Sequence, residues 1–508
     1  MSTTKVKNKR IAKNTILLYV RMMFLMIISL YISRVVLNAL GVVDYGIYNV
    51  VGGVVAMFSV LSGSFSSSVS RFLTYSLGEE NHEKLFRVFS TSVIIQAFVA
   101  IAVVLAADIL GIWFLNFKMN IPHERLVAAN WVMHCSILTF ATNLLSVPYN
   151  AAIIAHEKMS AFAYISMLEG IMKLLVAYLM SVATIDKLIL YAVLLFALSL
   201  LVRQIYALYC KEKFPECSFH FIIDKSLLKE MTGFAGWTVL GNGTYLFNTQ
   251  GVNILINMFF GVTLNAARGI ATQVETAVMQ FVNSFTTAVN PQITKSYAEG
   301  NLEYMHSLVC RGAKFSFFLM LFFAVPISIE TEQFLSIWLK VVPDYAVDFV
   351  RLSFVTSMCT VIGNTLLTSQ LATGQVKKYQ IIVTIWGGWV FPLTWLAFEA
   401  GYSPVWAYII YAFDYFVLIF IRVYLVKDLI RLSCKRYIKD VLLVCVLVTL
   451  SSSLMPFLIY KMQEQSICRL IEVIVTASLG IVLSIYVLGL DRNERSFVKK
   501  QIKTKLFT

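Results

Sequence analysis

Arg268, Thr272 and Glu275 stand at steps of four and three in a largely apolar stretch, so on a helix they form one polar stripe. Gln273, Gln280, Asn283 and Asn290 extend that polarity. Just upstream, Asn242, Tyr245, Thr249 and Asn253 share another helical face, flanked by Gln250 and Asn257. Two consecutive polar-faced helices suit the wall of a hydrated cavity. The competing reading is a structural network in which Arg268 and Glu275 satisfy each other between packed helices. A guanidinium binds phosphate through a planar fork of donors, more specifically than an ammonium can. An arginine in a wet cavity therefore suits an anion with an apolar tail, such as a pyrophosphate head, and suits a cationic drug poorly.

Other ionisable groups interrupt apolar runs, each at an insertion cost of about 3 kcal/mol. Arg21 and Arg34 are 13 residues apart, about 140° around a helix, and need not share a partner. Arg21 can line the cavity or snorkel to headgroups, and Arg34 can anchor at the interface. Glu169 and Lys173 form an i,i+4 pair able to neutralise itself, with coupling as the alternative role. Asp414 and Glu399 are further candidates for ion or proton coupling. The serine run 62–70 permits either close packing or a wet gate.

Several chemistries lack their residues. There is no GxxxxGK[ST] phosphate loop and no Ser–His grouping suggestive of a triad. The eight cysteines and six histidines are scattered without metal-ligand spacing, so no metal or cofactor is expected. The external connections near 113–125 and 330–346 are too short for the catalytic loop of a membrane polymerase or ligase.

These residues sit in a chain of 508 residues that is 58% hydrophobic and 14% charged, with mean hydropathy +0.75. That composition belongs to an all-α integral membrane protein. Apolar runs long enough to span a bilayer fall near 14–37, 46–70, 88–112, 126–148, 159–182, 188–210, 232–258, 265–290, 312–329, 347–369, 379–398, 404–426, 439–460 and 467–490, about fourteen transmembrane helices. The first run is too long for a signal-peptide core and reads as an uncleaved span. With the N-terminus inside, Lys and Arg divide 31 to 7 in favour of cytoplasmic segments, with Arg422 counted in the segment 422–439. Both termini are expected in the cytoplasm. The net charge of +14 thus reflects loop distribution and calls for no nucleic acid.

Residues 64–85 align without gaps over 284–305, with 8 of 22 positions identical. The loops 155–159 and 373–377 correspond at nearly the same shift. Two six-helix lobes follow, related by a pseudo-two-fold axis along the membrane normal, with two extra C-terminal helices. The expected divisions are a basic tail 1–13, an N-lobe 14–215, a C-lobe 216–430, helices 13 and 14 over 431–490, and a basic tail 491–508.

The opening NTILLYVRMMFLMIISLYISRVVLNALGVVDYGIYNVV (14–51), the stretch YNAAIIAHEKMSAFAYI (149–165) and AVNPQITKSYAEGN (288–301) carry a resemblance to a known family. Over about residues 10–490 the chain resembles the multidrug/oligosaccharidyl-lipid/polysaccharide (MOP) exporter superfamily, and within it the Wzx-type polysaccharide flippases. The resemblance implies alternating access in a bacterial inner membrane. The implied cargo is an undecaprenyl-pyrophosphate-linked oligosaccharide for O-antigen or capsule, with membrane lipids and polysaccharide-assembly proteins as partners. It also implies that Arg21 and Arg268 contact the pyrophosphate. Sodium, protons or membrane potential are the coupling candidates. The lipid II branch carries a further span-2 arginine, whereas Arg71 here lies at the end of that span. A cation-coupled multidrug antiporter of the same superfamily, a glycan polymerase or ligase, and an assembly scaffold are the competing expectations.

Overall fold

The computed structural model describes residues 2–56, 58–117, 123–218, 224–260, 262–339, 342–492, 494–496 and 499. Among them the chain is helix, turn and short connection, without a strand. In order come α1 (Ser2–Ala56), α2 (Ser59–Gly78), α3 (His82–Phe117), α4 (Leu126–Ala155), α5 (Met159–Val182) and α6 (Lys187–Lys213). They are followed by α7 (Lys225–Phe260), α8 (Val262–Ala298), α9 (Leu302–Ile329), the short α10 (Thr331–Trp338), α11 (Ala346–Thr373), α12 (Lys377–Gly387), α13 (Val390–Glu399) and α14 (Val405–Ile430). The last two are α15 (Cys434–Met462) and α16 (Ile467–Gly489).

Ten stretches of the described residues are long and apolar enough to cross a membrane. They coincide with the third to sixth and ninth to fourteenth expected spans. The expected spans 14–37, 46–70, 232–258 and 265–290 fall on α1, α2, α7 and α8, the first pair of each half, where the polar residues concentrate.

Local chemistry explains where the helices bend and stop. Gly41 interrupts α1 at φ 77° and ψ 172°, a region closed to residues with a Cβ. Asp186 caps α6 by accepting from the Leu188 and Ile189 amides. α11 ends at Gly374, whose φ of 77° is a left-handed helix stop.

The expected span 379–398 is broken into α12 and α13 around Gly388. Pro392 has no N–H for the Gly388 carbonyl four residues earlier, and its ring crowds that turn. The neighbouring Gly387 carbonyl is taken by the Asn248 amide from α7, at 2.6 Å.

Two compact units emerge, one of residues 1–242 with 294–300, the other of 243–293 with 301–508. In the first, α4 packs against α6, α3, α2 and α1. Its core joins Ile47, Val51 and Val55 of α1 to Val132 and Met133 of α4 and Leu188 of α6. In the second, α11 is central, between α14 and α9, while α15 and α16 pack on each other and on α9. That hairpin is tied to α9 at both ends. Arg469 forms a two-pronged ion pair with Glu330 at 2.7 and 2.8 Å, and Lys314 reaches the Gly489 carbonyl at 3.1 Å.

Candidate functional site

The second unit holds the polar stripe of α8. Thr272, Gln273, Thr276, Gln280 and Asn283 are all exposed, at steps that keep them on one face. Val274, Val278 and Val282 are buried opposite them. Among the described residues of α8 no large hydrophobic side chain is exposed. On α16, by contrast, Ile467, Ile471, Leu479 and Leu483 stand outward as a lipid-facing helix requires. A helix whose outward face is hydroxyls and amides cannot meet hydrocarbon, where every unpaired polar group costs several kcal/mol. The α8 face is therefore a wetted one.

At one end of this face Arg268 is only 9% exposed. Its Nη2 donates to the Thr249 carbonyl of α7 at 3.0 Å, and its guanidinium lies 5.7 Å from the centre of the Tyr408 ring of α14. Tyr408 is itself stacked on Phe349, with ring centroids 4.6 Å apart. Glu275 accepts from the Ser357 hydroxyl of α11. Arg268 and Glu275 make no direct ion pair among the described residues; each is oriented by a different neighbouring helix. The arrangement leaves guanidinium donors for an anionic guest beside a row of neutral hydrogen-bonding groups.

Asn253 is half-buried on α7 in the same unit. Asn242 is placed elsewhere. It belongs to the first unit, where its amide donates to Ser64 Oγ at 2.9 Å. The side chains of Tyr245 and Arg34 lie outside the described residues. Asp414, 6% exposed on α14, has no hydrogen bond or ion pair among the described residues. Glu399 ends α13.

In the first unit Arg21 is turned onto α5. Its Nε donates to Ser166 Oγ at 2.8 Å and its guanidinium sits 4.5 Å from the Phe162 ring centre. Glu169 and Lys173 pair with each other at 2.7 Å, as their spacing predicts. The Nη atoms of Arg21 have no hydrogen-bond partner among the described residues.

Further groups escaped the sequence reading. Arg422, counted with the connection 422–439, lies within α14 and packs against Gly363 of α11. A basic residue inside an apolar run (FIRVYLV) was the available signal. Lys295 pairs with Glu157 at 2.8 Å; Glu157 is 6% exposed and holds a strained φ of 58°. Close by in sequence, His156 meets the Glu216 carboxylate and stacks on Phe214. Burial works to raise the Glu216 pKa, but the hydrogen bond from His156 and its charge bring it below the ordinary value.

No protein-family description matches the chain, and no curated relative does either. Solved structures do resemble it. A multidrug resistance MATE family transporter of the MOP superfamily, in an outward-facing conformation, aligns with TM-score 0.69 and 14% identity over 83% of this chain and 97% of that one. A MATE transporter in complex with MaD3S aligns equally, with the same score, identity and coverage. A MOP superfamily transporter from Pyrococcus furiosus, described as having a binding pocket of reverse polarity that suggests a different function, gives TM-score 0.70 and 13% identity over 84% and 96%. At this identity the likeness shows the fold: all-helical, membrane-spanning and MATE-like.

Proposed function

We propose that this chain is an inner-membrane transporter that moves a lipid-linked oligosaccharide from the cytoplasmic to the periplasmic leaflet by alternating access. The observation that carries this reading is the α8 face, where Thr272, Gln273, Thr276, Gln280 and Asn283 are exposed beside Arg268, while Glu275 of the same stripe is half-buried and accepts from Ser357. Hydroxyls and amides offer both donors and acceptors, which suits a glycan rich in hydroxyl groups. A guanidinium with unused donors suits the pyrophosphate that joins glycan to lipid. Arg21, whose Nη atoms have no hydrogen-bond partner among the described residues, offers the same chemistry in the first unit. The cargo on this reading is an undecaprenyl-pyrophosphate-linked unit for surface polysaccharide, and both chain termini lie in the cytoplasm.

The second reading is cation-coupled multidrug antiport. Two observations favour it: the solved structures of like fold include multidrug transporters, and Asp414 is a buried carboxylate with no hydrogen bond or ion pair among the described residues, the kind of group that binds and releases a cation.

The deciding experiment compares a deletion strain with its complemented parent. Radiolabelled sugar–polyprenyl intermediates are extracted from membranes and their leaflet is assigned with a non-permeant probe. Finished units trapped in the inner leaflet, and released by restoring the gene, support the flippase. Normal intermediates together with altered resistance to cationic compounds transfer the assignment to the antiporter.

A further inference from the structure

Of the described helices, only α7 and α8 are divided between the two compact units. The first unit takes α7 up to Asn242 and the end of α8 from Thr294, and the second takes residues 243–293 between those crossings. α1 to α6 belong wholly to the first unit, and α9 to α16 wholly to the second. The piece between the crossings carries Thr249, Arg268 and the polar face of α8.

The start of α7 and the end of α8 are both held on α2. Ser64, Ser68 and Phe72 stand at steps of four along one face of that helix. Ser64 Oγ accepts from Asn242 at 2.9 Å, and Ser68 Oγ donates to the Met231 carbonyl at 3.0 Å. Phe72 meets Phe234 edge to face, with ring centroids 5.9 Å apart. One turn further on, the Tyr75 ring lies 6.3 Å from that of Tyr297. Gly78 then lets α8 approach so closely that a Cβ there would be 2.6 Å from the Ala298 Cβ and 3.0 Å from the Lys295 carbonyl oxygen. The Glu157–Lys295 pair adds a buried charge contact from the connection between α4 and α5.

The crossings are the weak points of both helices. α7 passes from one unit to the other at Gly241, Asn242 and Gly243. A Cβ at Gly243 would meet nothing within 4 Å, so packing does not call for glycine there; what it supplies is backbone freedom. In α8, Pro291 stands three residues before the crossing. It has no N–H for the Thr287 carbonyl, and its ring crowds that turn. Helices bend at such residues. The repeat-equivalent position of α2 holds Arg71, in a helix that stays within one unit.

Firm seats at the ends and weak points at the crossings decide where a movement is absorbed. Bending at a glycine or a prolyl break costs less than parting a buried ion pair and a close helix contact. We propose that α7 and α8 hinge at Gly243 and Pro291, so that residues 243–293 move with the second unit while the start of α7 and the end of α8 stay seated on α2. The proposal rests on the alternating access put forward above and holds for either cargo.

Hydrogen exchange of the purified full-length chain in lipid nanodiscs tests it without any cargo. In wild type, amides of 243–247 and 287–293 exchange at least about fivefold faster than those of 231–238 and 294–298. Gly243→Ala slows exchange at 243–247 about fivefold, the ratio that corresponds to the helix propensity glycine lacks, and does not lower the melting midpoint. Pro291→Ala, which restores a donor to the Thr287 carbonyl, slows exchange at 287–293. The double variant, stiff but folded, loses transport by about tenfold or more in whichever assay the deletion strain answers to. Even exchange along both helices, or faster exchange at 294–298 than at 287–293, overturns the hinge. So does wild-type transport in a double variant whose exchange has slowed. If the deletion strain shows neither transport phenotype, it is the cargo reading that fails, and the exchange pattern alone decides the hinge.

Discussion

Asn81 and Asn301 stand 220 residues apart and cap their helices in the same way. Asn81 Oδ1 accepts from the Lys84 amide at 2.9 Å to start α3, and Asn301 Oδ1 accepts from the Tyr304 amide at 3.1 Å to start α9. The shift is the one that aligns residues 64–85 with 284–305, so the repeat survives in a hydrogen bond as well as in letters. Asn81→Ala and Asn301→Ala should each lower stability by about 1 kcal/mol, and Asp at either position should retain most of it. Thermal unfolding in detergent reads both, and a neutral effect at either site refutes its role as a cap.

The Glu157–Lys295 pair predicts a larger and non-additive effect. The Glu157 side chain is 2% exposed and that of Lys295 16%. Removing one partner leaves the other charge buried with this ion pair lost, at up to about 3–5 kcal/mol. Lys295→Met alone should therefore destabilise more than Lys295→Met combined with Glu157→Gln. A double-mutant cycle by thermal unfolding measures the coupling; additive losses would show that the two groups do not depend on each other.

Glu216 sets a pH dependence. Its folded pKa lies below the ordinary 4.5, so its contribution is complete above that value and is lost as pH falls through the lower folded value. The melting temperature should drop on acidification below about pH 4.5. In His156→Phe, which keeps the stacking on Phe214 but removes the hydrogen bond, the drop should be smaller. Equal acid slopes in the two proteins would assign the lost stability to other carboxylates.

Arg268 supplies the transport test. Arg268→Lys keeps a charge but loses the fork that reaches Thr249, so transport should fall less than in Arg268→Ala. The alanine variant should lose at least about tenfold, the equivalent of one charged hydrogen bond. Leaflet-resolved recovery of radiolabelled intermediates measures both, with expression matched by immunoblot. Wild-type transport in Arg268→Ala removes the residue from the cargo site.

Much of the fold was legible because hydropathy and length are properties of single segments. The ten apolar spans needed no knowledge of partners. The stripe of α8 was legible for the same reason, since period and polarity sit in one helix. What escaped depends on contacts between segments. Nothing local to Asn248 shows that it will take the Gly387 carbonyl, although Gly387, Gly388 and Pro392 together mark a break. Arg422 was counted with a loop because loop statistics reward a basic residue near a span end, whereas Gly363 provides its berth within the bundle. The competing reading, a mutual Arg268–Glu275 pair, does not appear among the described residues because Thr249 and Ser357, from other helices, take their hydrogen bonds.

The partners of α8 also set a timetable for the protein's birth. Arg268 and Glu275 would each cost about 3 kcal/mol to leave the insertion machinery for lipid unaccompanied. Ser357, which receives Glu275, is 82 residues downstream, and Tyr408, which covers Arg268, follows only after α13. At about 5–20 residues per second, α8 waits several seconds or longer for the surroundings that make it tolerable. Its integration is therefore paced by the synthesis of α11 and α14, and a chain truncated before α14 would leave Arg268 with the Thr249 carbonyl but without the Tyr408 ring that covers it.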